Sequence, residues 1–220
     1  MRLVKPSYEI LHIDDSALKL LELAGRTCYK SEDRIADGTA EPFVQRIVHD
    51  YKHESVIEHA NITVKFIVDR GVTHELVRHR LCSFSQESTR YCNYGKAGHV
   101  TFVIPPWLDI NPQKIERGSL TWSRDSKRPL DLWLFAMGDS EDRYLSLLEA
   151  RWSPQQARSV LPNSLKTEIV TTANFREWRH ILKLRTAKAA HPQMREIMVP
   201  LLADLANCLP VIFGDIPCKP

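Results

Sequence analysis

Residues 61–71 read NITVKFIVDRG, with Ile62, Val64, Phe66 and Val68 alternating against Asn61, Thr63 and Lys65. That period of two predicts a half-buried strand. Strand-like runs also occur at 2–12, at 99–107, where two prolines stop the run, and in LKTEIVTTA at 165–173. Elsewhere the spacing is helical. Asp14-Asp15-Ser16 reads as a helix start leading into ALKLLELAGRTCYK, and EPFVQRIVHDYK at 41–52 predicts a second, short amphipathic helix. VTHELVRHR resumes helical spacing, and a long helix covers about 131–150 with Gly138 as its weak point. Two helices close the chain, near 174–187 and 192–208. The last carries Met194, Ile197, Met198, Leu201, Leu202 and Leu205 on one face, a stripe expected in a core. The polar, proline-bearing segment 108–130 predicts an exposed excursion. Strands do not alternate regularly with helices, so the expected class is α+β: a single compact domain over 1–220, mainly antiparallel sheet flanked by helices.

Composition adds little to the fold but narrows the function. The chain has 220 residues, 43% hydrophobic and 26% charged, with a net charge of +3. That balance suits a small anionic ligand at least as well as nucleic acid. Five cysteines (28, 82, 92, 208 and 218) are scattered and form no CxxC pair. They argue against a disulfide framework or zinc knuckle and predict a reducing, cytoplasmic location. Charges inside the first apolar stretch exclude a signal peptide, and no apolar run is long enough for a membrane span.

The chain contains neither GxGxxG nor GxxxxGK[ST], and eight glycines leave little material for a phosphate loop. An anion must then be held by side chains, and RHRLCSFSQESTRY at 78–91 supplies them. Arg78, Arg80 and Arg90 offer planar forks for phosphate oxygens, and Ser83, Ser85, Ser88 and Thr89 add hydroxyls. The spacing predicts Arg78, Arg80, Ser88, Arg90 and Tyr91 around one short turn. An Arg-His-Arg triplet by itself reads as a solvated helix end; it is the density of donors that favours a site. Cys82 lies beside Arg80, but seven residues separate it from Arg90, where a cysteine phosphatase loop needs five. In HESVIEH at 53–59 the histidines are six apart, not the four of HExxH, so no metal is predicted. A competing class is a single-stranded nucleic-acid-binding module using the Arg, Tyr and Phe interleaved across 78–94, with steep salt dependence as its mark.

The order Arg-His-Arg, two residues, Ser, four residues, Ser, one residue, Arg-Tyr resembles the signature of the flavin-dependent thymidylate synthases. HESVIEH, ARSVLP (157–162) and NFREWRHILKLR (174–185) resemble further segments of that family, in its order, so the resemblance runs from about residue 20 to 200. It implies an α+β subunit of a homotetramer with active sites at subunit interfaces. It also implies methylation of dUMP to dTMP, with FAD as hydride carrier, methylenetetrahydrofolate as carbon donor and NADPH as reductant, without a cysteine nucleophile, nucleic acid or membrane. Arg78, His79 and Arg80 resemble the flavin-contacting triplet, and Ser55, Glu58, Gln86, Asn174, Phe175, Arg176 and His180 fall on further flavin positions. Glu75, Arg78 and the stretch Gln86, Glu87, Ser88, Thr89 and Arg90 fall on the dUMP site. Arg158 matches an arginine that reaches dUMP from a neighbouring subunit. His53, Ser88 and Arg185 fall on residues tied to the reaction, Arg185 facing the pyrimidine. The chain departs from the pattern at Ser85-Gln86, where many relatives have Asn-Glu, at Glu75, where some have Gln, and at His180, where others have Asn. The stretch RTAKAAHPQMREI is longer than in some relatives and leaves His191 without an assigned role.

Overall fold

The computed structural model describes residues 1–14, 16–116 and 126–217. Asp15 of the expected helix start, residues 117–125 of the polar excursion and Cys218 lie outside them. In chain order the elements are β1 (Arg2–Val4), β2 (Ser7–Ile13), α1 (Ala17–Tyr29), α2 (Ala40–Gln45), β3 (Asn61–Asp69), α3 (Arg70–Leu76), β4 (Ser83–Gln86) and β5 (Thr101–Val103). They continue with β6 (Gln113–Lys114), α4 (Pro129–Glu149), α5 (Pro154–Ala157), β7 (Lys166–Asn174), α6 (Phe175–Arg185), α7 (Pro192–Cys208) and α8 (Pro210–Phe213). The α+β expectation holds, with an antiparallel sheet flanked by helices. No helix among the described residues is long and apolar enough to cross a membrane.

Four strands form one sheet in the order β2-β3-β7-β4, and three form a smaller one in the order β5-β1-β6. Strand β1 runs parallel to β5 and antiparallel to β6. The strand expected over 2–12 is two strands, one in each sheet. Lys5-Pro6 separates them, because a proline has no amide hydrogen to give to a ladder. The alternation read in β3 is borne out: Ile62, Val64, Phe66 and Val68 are buried while the residues between them are more open.

Contacts cluster into two compact units. The first comprises Met1–Ser7, Ile67–Glu75 and Gln86–Ile169, and the second Tyr8–Phe66, Leu76–Ser85 and Val170–Pro220. The core of the first gathers Leu3, Phe102, Ile104, Leu134 and Tyr144. There the Glu141 carboxylate, on α4, accepts from the Val100 amide at 2.7 Å. The core of the second is built on α6 and α7. Trp178 is fully buried, its ring centroid 6.4 Å from that of Phe66, and its indole N–H donates to the Ile62 carbonyl. The Met and Leu stripe of α7 is buried along its length.

Helix α1 meets α2 through a glycine. A Cβ at Gly25 would lie 2.5 Å from Cε1 and 2.8 Å from Cζ of Phe43. That ring is buried and sits under the Arg26 guanidinium at 4.8 Å, so it cannot swing aside cheaply. Gly25→Ala gains about 1 kcal/mol of helix propensity but meets an overpacking cost of about 1–3 kcal/mol. The net effect expected in urea denaturation is a lower midpoint; a higher one would contradict this packing.

Candidate functional site

Helix α6 positions the chemistry of the second unit. Asn174 caps it by accepting the Glu177 amide at 2.8 Å, and Phe175, Trp178, Ile181 and Leu182 bury its apolar face. Arg185 ends the helix, where a cation is favoured by the dipole. Its Nε donates to His79 Nε2 at 3.0 Å. His79 follows α3 in a tight turn and is only 5% exposed, whereas its neighbours Arg78 and Arg80 are exposed. Burial, then the positive charges of Arg185 and His180, push the His79 pKa down to about 4, so the ring is neutral near neutrality. On its other side Nδ1 lies 3.5 Å from Glu177 Oε1, and the His180 ring meets it edge-on at 5.7 Å.

Beside this group lies a cavity of about 650 Å³. Four residues expected at the flavin line it: Glu58, Asn174, Arg176 and His180. Glu54, Glu177 and Lys183 line it too, and sequence reasoning missed all three. Arg176 donates to Glu58 at 2.5 Å across its rim. The donor set fits a dinucleotide: half-exposed cations can meet phosphates, and carboxylates and an amide can accept from ribose hydroxyls and an adenine amino group. Ser55, also expected at the cofactor, is exposed on the turn before Glu58. Phe175 is a correction in kind. Its ring is buried against Phe213 at 5.9 Å and its amide donates to the Ala60 carbonyl, so it serves the core and neither group is offered to a ligand.

The run 78–91 is not one turn. Residues 83–86 form β4, so Arg78 and Arg80 precede a strand, and Ser88, Arg90 and Tyr91 follow it. SFSQ alternates as a strand must, so these five residues are not set around one short turn. After the strand, residues 86–90 belong to the first unit. Gln86 Nε2 donates to Thr73 Oγ1 at 3.0 Å and to Thr167 Oγ1 at 3.2 Å. Glu87 pairs with Lys166 at 3.0 Å, and Lys166 also reaches Glu168 at 2.6 Å. Ser88 closes a turn: its carbonyl accepts from the Tyr91 and Cys92 amides, and its Oγ from that of Arg90 at 3.3 Å. Thr89 is buried and accepts from Arg158 at 3.0 Å, within the same chain. Arg90 is exposed, its guanidinium 5.4 Å from the Tyr91 ring centroid. Glu75 is half-buried in α3.

His53 is exposed, its Nδ1 3.2 Å from the Tyr29 hydroxyl and its ring beside Tyr51. His191, left open by the sequence, caps α7 by accepting the Gln193 amide at 3.3 Å. Burial and then Glu177 raise the Cys82 thiol to about 12, which removes it as a nucleophile. No metal was expected from spacing, yet ligand atoms of His79, Glu177 and His180 lie within 4.8 Å of one another. Sequence could not show this cluster, because His79 stands almost a hundred residues before the other two.

The family model described as thymidylate synthase complementing protein matches residues 9–211. Flavin-dependent thymidylate synthases from Corynebacterium glutamicum and Mycobacterium avium are 36% and 34% identical, over 91% of this chain and 80% of theirs. Among solved structures, thymidylate synthase X from Helicobacter pylori, with FAD and dUMP, superposes with a TM-score of 0.73 at 22% identity, covering 96% of this chain and 98% of that one. A UMP/dUMP methylase from Streptomyces cacaoi bound with 5-Br dUMP gives 0.75 at 23%, over 97% and 96%. At those identities the two structures speak for the fold.

The depressed His79 pKa carries a sign for stability. Between the ordinary value of 6.5 and about 4, the unfolded chain binds a proton that the folded chain does not. His79 therefore lowers stability progressively as pH falls through that window and contributes nothing above it. Melting temperatures of the parent and His79→Gln, taken at about pH 7 and about pH 5, are expected to show the larger acid loss in the parent. Equal losses would mean that the imidazole is not held neutral.

Proposed function

The chain belongs to the thymidylate synthase complementing proteins, the flavin-dependent thymidylate synthases, and we propose that it methylates dUMP at C5 to give dTMP, drawing the carbon from methylenetetrahydrofolate and the hydride from NADPH by way of bound FAD. The observation that carries this reading is the cavity lined by Glu58, Asn174, Arg176 and His180, four positions expected at the flavin. Bound FAD, once reduced, would supply the hydride that takes the transferred carbon from the formaldehyde to the methyl level. In balance, C5 loses a proton and gains a methyl group, the folate loses its methylene, and NADPH is oxidised.

The chain's own residues bind, orient and stabilise charge. Arg185 meets the N3–O4 edge of the uracil and stabilises the negative charge that develops as C5 becomes nucleophilic. The hydrogen bond from its Nε to His79 fixes the plane of the guanidinium for that contact. Arg90 and the turn hydroxyl of Ser88 hold the phosphate and the amide oxygen of Gln86 accepts from the sugar, with Arg158 and Thr89 supporting the turn. His53, with Tyr29 on its Nδ1, supplies a hydrogen-bonding group to the reaction. No thiol is needed, which agrees with the high pKa of Cys82. A homotetramer with shared sites and a cytoplasmic location complete the reading.

The purified protein is expected to be yellow, to release FAD on denaturation, and to form dTMP only when dUMP, methylenetetrahydrofolate and NADPH are all present. A colourless protein that takes up no FAD would refute the assignment. Arg185→Ala is expected to keep its FAD and its melting temperature while turnover falls, on the order of a hundredfold or more, as for loss of one oxyanion donor. Arg185→Lys should rescue poorly, since an ammonium has neither the planar fork nor an Nε–H for His79. Turnover of Arg185→Ala within a few-fold of the parent at saturating dUMP would remove Arg185 from the mechanism.

A further inference from the structure

Helix α6 does not account for the direction its Glu177 side chain takes. The residue stands third after the N-cap Asn174, the position from which a glutamate commonly turns back to the N-cap amide. Its carboxylate instead lies against His79 Nδ1 and is only 8% exposed. Burial raises its pKa, with His180 opposing, so the site keeps a carboxyl group where an apolar side chain would be cheaper to bury.

The hydrogen bond on the far side of the ring supplies the reason. An arginine Nε carries hydrogen at every accessible pH, so His79 Nε2, which faces it at 3.0 Å, has to be the lone-pair nitrogen. The single proton of the neutral ring then sits on Nδ1, facing Glu177 Oε1 at 3.5 Å. We propose that Glu177 is a positioning residue that holds His79 in its Nδ1–H tautomer, and that this tautomer presents the acceptor which aims Arg185. The inference rests on the role given to Arg185 under the proposed function, and it adds the residue that acts two steps behind it.

The groups facing the imidazole are Glu177, His180 and Arg185, all on α6, and Cys82 of its own loop, which stays a thiol. Glu177 carries the only oxygen acceptor among them, and its Oε1 lies 3.5 Å from Nδ1. A divalent cation shared by His79, Glu177 and His180 is the competing use of the same atoms. It would take the Nδ1 lone pair and send the proton to Nε2, against the Nε–H of Arg185. Metal binding there and the Arg185 contact exclude each other.

The test compares the parent, Glu177→Met and Glu177→Gln as full-length, FAD-loaded proteins. Methionine keeps the bulk and removes the acceptor, while glutamine keeps an acceptor oxygen without the charge. With 15N-labelled histidine, the His79 resonances are assigned by their loss in His79→Gln, and their shifts report the tautomer. The parent should show Nδ1–H. Glu177→Met should move toward Nε2–H, with kcat down by roughly ten- to a hundredfold, by analogy with metal-ligating histidines that lose their orienting carboxylate. Because Glu177 also lines the cavity, kcat is taken per bound FAD; the KM for dUMP should stay near that of the parent, and Glu177→Gln should restore both tautomer and kcat. An unchanged tautomer in Glu177→Met, or a changed one with kcat at the parent value, overturns the proposal. So does a lowered melting temperature with kcat intact, the mark of a purely structural residue. A parent that forms no dTMP would refute the functional assignment instead, and the tautomer comparison alone would then decide the role of Glu177.

Discussion

The hydrogen bond from Arg185 to His79 demands a neutral imidazole, and the second unit is organised to supply one. Water would hold the ring half-charged near its ordinary pKa, and a protonated ring could not accept from a guanidinium. The fold removes that option by burying His79 after the end of α3, against α6, where charging the ring is opposed first by desolvation and then by Arg185 and His180. Everything that fixes α6 therefore also fixes this contact. Asn174 sets where the helix begins, Trp178 and Ile181 seat it against the core, and Arg185 falls at its last turn by helical spacing.

Two arginines on the same helix differ in the chemistry of their partners. Arg179 is buried and bonded to the Asp215 carboxylate at 2.6 and 2.8 Å, with Glu54 at 3.4 Å and the Ile212 carbonyl as further acceptors. Burial alone would lower its pKa, but Asp215 and Glu54 together raise it, and the charge is spent inside the protein. The same bonds hold the Asp215 carboxyl below its ordinary value. Removing Asp215 would take from the buried guanidinium its two shortest carboxylate contacts, so this pair ties α6 to the segment after α8. The bond from Arg185 Nε to His79, by contrast, is to a neutral imidazole and brings no counter-charge of its own.

How far the sequence could be read follows from the range of each signal. Local periodicity gave β3, β7, α4, α6 and the core face of α7, since burial acts on each residue by its neighbours at fixed spacing. It failed where a single residue overrode a run, as at Pro6 between β1 and β2, and where serines suggested a turn at β4. The site positions came largely from family resemblance. That route reached Glu58, Asn174, Arg176 and His180 but also drew in Phe175, whose ring and amide are both used by the core. Glu177 stayed invisible because Asn174-x-x-Glu177 already has a sufficient local meaning as a helix start. The meeting of Glu177 with His79 depends on how the chain folds back, and no spacing rule contains it.

The departure at Gln86 can be understood in the same terms of charge and donors. Its amide nitrogen donates to two threonine hydroxyls, Thr73 and Thr167, which anchors the end of β4. A glutamate could make those bonds only by accepting, with both hydroxyls reversing their roles. It would also add a negative charge beside a cluster that already holds one more carboxylate than ammonium, since Lys166 serves Glu87 and Glu168 together. Burial would lower the Lys166 pKa, yet its bonds to the two glutamates raise it, so the lysine is bound to them rather than available to a phosphate. Of the arginines expected at dUMP in this unit, Arg90 is exposed beside Tyr91 and Arg158 is braced on Thr89. For the phosphate site proposed at Arg90 and Ser88, an uncharged residue at 86 avoids like-charge repulsion, and glutamine provides it without giving up the anchoring hydrogen bonds.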